Sequence, residues 1–504
     1  MRGPTMGCCV GWPVPGPQDG CGSLKFVMAL FGIHEEYTTM RRGMAWWGIL
    51  LLVAWLAASC GPAFRDKSPG ATVANTRVGD AGSPTALDTN PCAEVVTLRL
   101  WHHWGGSRLP LMEEQIRRFE ERHPCVQVEM TLLPWPQRLA TLLDAVDAGD
   151  PPDVTMIGRQ DVPALVEAQA LLPLDSWMEQ DGVSPELFYA AEIAGTRYQN
   201  QTWMLPMPTA AGSKMLWINA PWFRRAGLNP EHPPTTWAQL GAACRSLTQF
   251  RRGALERIGL NVLDVHGQPG AFLTWLYANG GTWISDDLRT VTFDGPEGIE
   301  TLRWMVDFTN SINGGVARVE AFYRRTGDWE DGPFYHDYEA MMVAGTWEYH
   351  KIQTYAPHLA QDLIVTALPR GPSASTNRGV AYGGWGYAVP RNVRHPEWSW
   401  ALLKWLTVER DGACWFLQQQ KRPSPLKACN EDPATGAGNP YWSDFLAIMA
   451  QDVHVPVTPV QPEVEQILRR MAEDAIYGVR SPEEALAWAS AEIQARLDRY
   501  WASR

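Results

Sequence analysis

Residues 95–132, VVTLRLWHHWGGSRLPLMEEQIRRFEERHPCVQVEMTL, decide the fold. Val95–Trp101 reads as a strand, and His102–Ser107 as a turn. Pro110–Arg122 reads as a helix, with Met112, Ile116 and Phe119 spaced i, i+4, i+7 on one face. His123-Pro124 stops that helix. Val126–Leu132 is a second strand. The rhythm continues: Trp135, Leu139, Leu142, Leu143 and Val146 mark another helix, and Asp150-Pro151-Pro152 turns into strand Asp153–Ile157. Gly158-Arg159-Gln160-Asp161 then leads into a helix through Ala168. Strands alternating with helices predict an α/β fold with a parallel sheet. In such sheets ligands bind beyond the carboxyl ends of the strands, which points to His102–Gly106 and Gly158–Asp161.

The same style runs outward. Strands are expected at Trp203–Pro208, Lys214–Asn219, Ile364–Pro369 and Tyr387–Pro390, and a short helix at Asp337–Val343 before Gly345. Helices are expected after Trp237, over Gly295–Thr309 and over Pro396–Val408, with two more at the C-terminus. The last of these opens on Ser481-Pro482-Glu483-Glu484, a capping box with proline at the first helical position. No internal repeat is evident.

At the other end, Met40–Cys60 reads MRRGMAWWGILLLVAWLAASC. Two arginines, an apolar run over Trp46–Leu56 and small residues before Cys60 have the layout of a secretory signal. The run is short for a membrane span, which takes about 20 apolar residues. Small residues before a cysteine resemble a bacterial lipobox, which implies acylation of Cys60. Leu56 stands one place early, with Ala57 at the usual leucine position. Residues 1–39 are Gly/Pro-rich and precede the signal, so the native start is expected at Met40. Residues 60–94 are rich in small and polar types, as expected of a flexible tether.

At 504 residues the chain exceeds one ordinary domain, and its net charge of −12 makes nucleic acid an unfavourable partner. Its 25 Trp outnumber the 14 Tyr and the 14 Phe, which directs attention to flat ligand-contacting faces. No cysteine–histidine spacing suggests zinc. Cys92 and Cys125 each precede a strand. If those strands are parallel neighbours, the two thiols lie side by side. Cys414 and Cys429 close a short local loop, and Cys244 is left as a buried thiol.

The ordered motifs VTLRLWHHWGG, DAGDPPDVTMIG, WMLPMPTAAGSKMLWIN, FLTWLYANGG, AMMVAGTWEYHK and YGGWGYAVP, behind a lipobox, resemble the extracellular solute-binding proteins of bacterial carbohydrate ABC importers. The resemblance spans about residues 95–500. It implies two α/β lobes joined by a hinge, with lobe one at 95–207 plus 370–415 and lobe two at 208–369 plus 416–504. It implies a carbohydrate ligand in the cleft, permease subunits of an ABC importer as partners, no cofactor, a membrane link only through the lipid anchor, and a monomer.

Sugar recognition needs aromatic faces against pyranose C–H groups and planar polar groups that bridge hydroxyls. The resemblance places these at His103, Trp104 and Gly105 after the first strand, and at Arg159, Gln160 and Asp161 after the third. It adds Gln268, Trp347 of the Gly-Thr-Trp motif, and Tyr382, Gly384 and Trp385 of the Gly-Gly-Trp loop. Trp101, Trp398, Trp400 and Trp405 sit at core spacing instead. Trp faces with carboxylates would also suit a polyamine or other cation. Paired carboxylates among Asp328, Glu330, Asp331 and Asp337 would be needed for a secreted glycoside hydrolase, but no other catalytic motif accompanies them.

Overall fold

The computed structural model describes Cys92 and residues 94–207, 213–264, 271–327 and 332–504. The expected signal, Cys60, nearly all of the tether, Gln268, and the acidic residues Asp328, Glu330 and Asp331 lie outside the described residues. The architecture below belongs to the compact unit Asp88–Arg504.

The first sheet grows from the stretch that opens the body. Strand β1 (Val96–His102), helix α1 (Leu109–Arg122) and strand β2 (Val126–Leu132) form a parallel unit, in register from Val96 opposite Val126 to His102 opposite Leu132. Helix α1 buries Met112, Ile116 and Phe119, the face its spacing foretells. Helix α2 (Arg138–Asp147) returns the chain to β3 (Val154–Gly158), which lies parallel on the other edge of β1. Helices α3 (Val162–Glu167) and α4 (Ala190–Ala194) then lead to the short strand β4 (Leu205–Pro206).

The second sheet is built around β5 (Ser213–Asn219), in which every residue is buried. Its side chains divide by the strand period of two: Leu216 and Ile218 enter one core, Met215 and Trp217 the other. Helices α5 (Trp237–Leu247), α6 (Ala271–Ala278) and α7 (Pro296–Ser311) follow. Strand β6 (Met341–Ala344), helix α8 (Glu348–Tyr355) and strand β7 (Leu363–Thr366) come next. Both β6 and β7 pair antiparallel with β5 at Leu216–Ile218, so they occupy its two edges. The expected helix at 337–343 is therefore a turn followed by β6. A short run buried on all sides has no helical or strand period of its own, and pairing with β5 decides it.

Strand β8 (Val380–Ala381) joins the second sheet beside Ser213 and Lys214, whereas β9 (Trp385–Ala388) crosses back to lie antiparallel between β3 and β4. Helices α9 (Pro396–Thr407) and α10 (Trp415–Gln419) pack on the first sheet through Leu402, Trp405, Phe416 and Leu417. Helix α11 (Trp442–Met449), strand β10 (Val453–His454), helix α12 (Gln461–Ile476) and helix α13 (Pro482–Ala502) complete the second sheet and its cover. Ser481 and Glu484 form the expected capping box.

The molecule is thus a two-lobe α/β protein, and the chain passes between lobes at 206–213, 381–385 and between Cys429 and Tyr441. Two of the expected boundaries shift. The return falls after Ala381 rather than at 370, because β8 pairs with β5. The last departure falls after Cys429 rather than at 415, because Phe416, Leu426 and Cys429 fill the first core. The disulfides follow the topology. Cys92 and Cys125 are bonded with Cα atoms 5.3 Å apart at the head of β1 and β2, and Cys414 and Cys429 with Cα atoms 5.1 Å apart. Cys244 is a free thiol, fully buried in the second core.

Candidate functional site

The carboxyl ends of β1 and β3 carry an aromatic group on the first lobe. His103 donates its Nδ1–H to the Leu133 carbonyl at 2.9 Å, which fixes the tautomer. Its ring meets Trp135 edge-on at 5.4 Å and Trp385 at 6.0 Å. Trp135 and Trp385 approach to 4.3 Å, and the Arg138 guanidinium lies 3.4 Å over Trp135. Trp385 is half-buried at the start of β9, with Trp104 a further ring 6.0 Å away. Trp104 differs: it is 2% exposed and stacks on Phe416 at 5.8 Å, making it part of the first core. Only its indole N–H lacks a partner among the described residues.

Arg159, Gln160 and Asp161 form the turn that leaves β3, and they face different tasks. Asp161 accepts from Arg138 through both carboxylate oxygens, at 2.6 and 2.8 Å. Gln160 folds back over Gly158, and its Oε1 is buried without a hydrogen-bond partner among the described residues. Arg159 is 1% exposed and pairs with Glu192 of α4. Glycines make room for it. A Cβ on Gly384 would come within 2.9 Å of Arg159 Nε, and one on Gly195 within 2.8 Å of Arg159 Cδ. Gly384 also sits at φ +115°, a conformation that favours glycine. Gly384 therefore opens space for the arginine, where the sequence suggested space for ligand. Gly105 has only ordinary contact room, with Leu132 3.5 Å from an added Cβ.

The second lobe contributes Trp347, half-buried just ahead of α8, with its indole N–H unpartnered among the described residues and the Lys214 Nζ 4.6 Å from its ring centroid. Tyr382 turns the other way. It is 1% exposed, donates to Glu465 at 2.8 Å and accepts from Gln461 at 3.0 Å, so its hydroxyl is engaged within the second lobe.

Between these walls lies a group of buried and half-buried ionisable side chains that no motif announced, Asp452 and His454 being the half-buried ones. The first lobe supplies Arg159, Glu192 and Arg422; the second supplies Lys214, Glu348, Asp452 and His454. Burial raises the Glu192 carboxyl, against the pull of Arg159, Lys214 and Arg422. Burial lowers Lys214 to about 7, opposed by Glu192 and Asp452. Burial also lowers Arg422 to about 9, helped by Arg108, and His454 to about 3, helped by Arg159. The sequence holds one signal: a lysine directly before the apolar run Met215–Ile218 of a buried strand must have polar company. The others are single charges without spacing, assembled only by the fold. No group of three or more metal-ligating side chains occurs among the described residues.

The bacterial extracellular solute-binding protein family matches residues 105–413. The chain belongs to this family. A putative binding protein of Brucella abortus (strain 2308) is 22% identical over 396 residues, covering 77% of this chain and 90% of that one. A solved structure described as CpMnBP1 with mannotriose bound has a TM-score of 0.68 at 22% identity, over 79% of this chain and 99% of that one. The sugar-binding protein MalE of Xanthomonas citri has a TM-score of 0.67 at 18% identity, over 81% and 99%. The chain is thus a solute-binding protein on a MalE-like two-lobe fold, in a family of binding proteins rather than enzymes.

Proposed function

We propose that the chain is a lipid-anchored extracytoplasmic receptor that binds a sugar or oligosaccharide between its lobes and delivers it to the permease of an ABC importer. The observation that carries this reading is the combination of half-buried aromatic faces with buried polar atoms that lack protein partners. Trp385, Trp135 and His103 stand on the first lobe and Trp347 on the second. Trp347 Nε1, Gln160 Oε1 and Arg159 Nε and Nη1 are unsatisfied among the described residues. Pyranose rings offer apolar faces for the former and hydroxyls for the latter. His103, Gly105, Arg159, Gln160, Trp347 and Trp385 are the proposed ligand-facing residues, with Trp104, Asp161 and Gly384 shaping the wall behind them. The bound mannotriose of one structural neighbour and the sugar-binding description of another agree with this class of ligand. Anchoring through Cys60 and the tether would hold the body outside the cell membrane, in agreement with the family's extracellular description.

A cationic ligand such as a polyamine fits less well, because Arg159, Arg422 and Lys214 already crowd the buried space. A hydrolase reading has little support: Asp337 accepts from Asn219 at 2.7 Å, within the second lobe. The test is mass spectrometry of protein expressed with its signal and released natively. It should carry acyl mass at Cys60 and release a saccharide on denaturation. A thermal-shift screen in which polyamines stabilise the protein and no saccharide does would reject the sugar reading.

A further inference from the structure

Two guanidinium groups between the lobes keep buried N–H donors that no described residue engages. Arg159 spends one nitrogen on Glu192, while its Nε and Nη1 have no hydrogen-bond partner among the described residues. Arg422 is 3% exposed; its Nη1 donates to Gln420 at 2.9 Å and its Nε has no such partner. Both guanidinium groups act on Glu192, and Arg422 also on Glu348. Lys214, fully buried, faces the same glutamates, and Arg108 faces Arg422. Among the described residues, Glu192, Glu348 and Asp452 are the carboxylates that act on these groups. Glu348 also accepts from Tyr335, and Asp452 from Ser213 at 3.1 Å. Burial pushes Glu192 and Asp452 towards their neutral forms and lowers Lys214 to about 7.

Buried cations with idle N–H donors are costly unless something compensates them. A neutral sugar would meet the N–H donors with its hydroxyls but would leave the charge uncompensated, and amides would serve hydroxyls as well without the desolvation of two guanidinium groups. A planar oxyanion meets both needs: the guanidinium fork presents two parallel N–H groups at the spacing of two carboxylate or phosphate oxygens. Lys214 beside Trp347 sets a further cation next to an aromatic face on which a sugar ring can lie. We infer that the ligand of this cleft is an anionic saccharide, whose carboxylate or phosphate oxygens are received by Arg159 and Arg422. The inference rests on the sugar-receptor reading above and sharpens its substrate class.

The test uses the mature chain, freed of ligand by unfolding and refolding, in calorimetric titrations with saccharides that differ in charge. Digalacturonate against digalactose probes a carboxylate, and mannose 6-phosphate against mannose probes a phosphate. At least one charged member should bind about tenfold or more tightly than its neutral counterpart. Arg422→Gln should bring that pair to near equality, and Arg422→Lys, which keeps charge but loses the fork, should fall between. Neutral oligosaccharides that bind while every charged counterpart binds equally or more weakly overturn the anionic inference and leave the sugar receptor standing. A protein that binds no saccharide, charged or neutral, fails the receptor reading itself. The wild-type comparison needs no variant to fold.

Discussion

Trp385 and Trp347 are half-buried tryptophans on opposite lobes, and each has lost part of its freedom to the protein already. Trp385 is braced by Trp135 and His103, Trp347 by the Lys214 ammonium. A braced ring presents its face to a ligand without first being ordered, so little rotamer entropy is lost on binding. Trp385→Ala or Trp347→Ala should weaken saccharide binding by roughly 1–3 kcal/mol by calorimetry, with the circular dichroism spectrum retained. Affinity unchanged in both would return these rings to a packing role. Histidines carry a second residue-scale expectation. Burial lowers His102 to about 4 and His454 to about 3, below the 6.5 of a free imidazole. The unfolded chain therefore binds more protons than the folded one between about pH 3 and 6.5, and stability falls as pH drops through that window. Above it, these two histidines contribute no slope. Thermal unfolding midpoints should fall steadily from pH 6.5 to 4.5, and His454→Gln should flatten the fall. A variant that unfolds with the same pH slope as wild type would show that His454 is not held neutral.

At the scale of elements, the first sheet was legible and the second only partly. Helix α1 and strands β1–β3 announce themselves because each carries its own period, local in sequence. Strand β6 does not, since AMMVAG is apolar throughout and its partner β5 lies over a hundred residues earlier. The site divides in the same way. The turns after β1 and β3 could be found from strand ends alone, whereas Glu192, Lys214 and Arg422 meet only through tertiary packing. The Gly-flanked turn that suggests a ligand face at Trp104 is local, while Phe416, which stacks on it, arrives from the far end of the chain. The disulfides were legible because each needs only one neighbour relation. Cys92–Cys125 ties the start of β1 to edge strand β2, and Cys414–Cys429 ties the start of α10 to the segment that leaves the first lobe. In the chain-entropy picture, loops with separations of 33 and 15 residues contribute about 3–4 kcal/mol each. Replacing Cys414 and Cys429 together with serine should lower the denaturant midpoint accordingly and leave the slope unchanged. A midpoint that does not move would mean that the loop is already held by Leu426 and the first core.

For the whole molecule, the charges between the lobes bear on opening and closing. Arg159, Glu192 and Arg422 belong to one lobe, and Lys214, Glu348 and His454 to the other, so separating the lobes hydrates groups whose burial is costly. The cores resist no such motion, because each lobe has its own and the chain crosses between them at only a few places. Closure must therefore be driven by a ligand that touches both walls. A ligand held by one wall alone has equal affinity for the two states and shifts nothing. Carrying the population from nearly all open to nearly all closed takes about 5.5 kcal/mol of differential binding. One stacked ring and one charge-assisted contact on each wall can supply that amount. Small-angle scattering should show a smaller radius of gyration when a saccharide, shown by calorimetry to saturate the protein, is added. Trp347→Ala should blunt the contraction more than it weakens binding, because it removes the second wall's share. A scattering profile unchanged at saturation would mean a rigid receptor, whose recognition by a permease could not depend on closure.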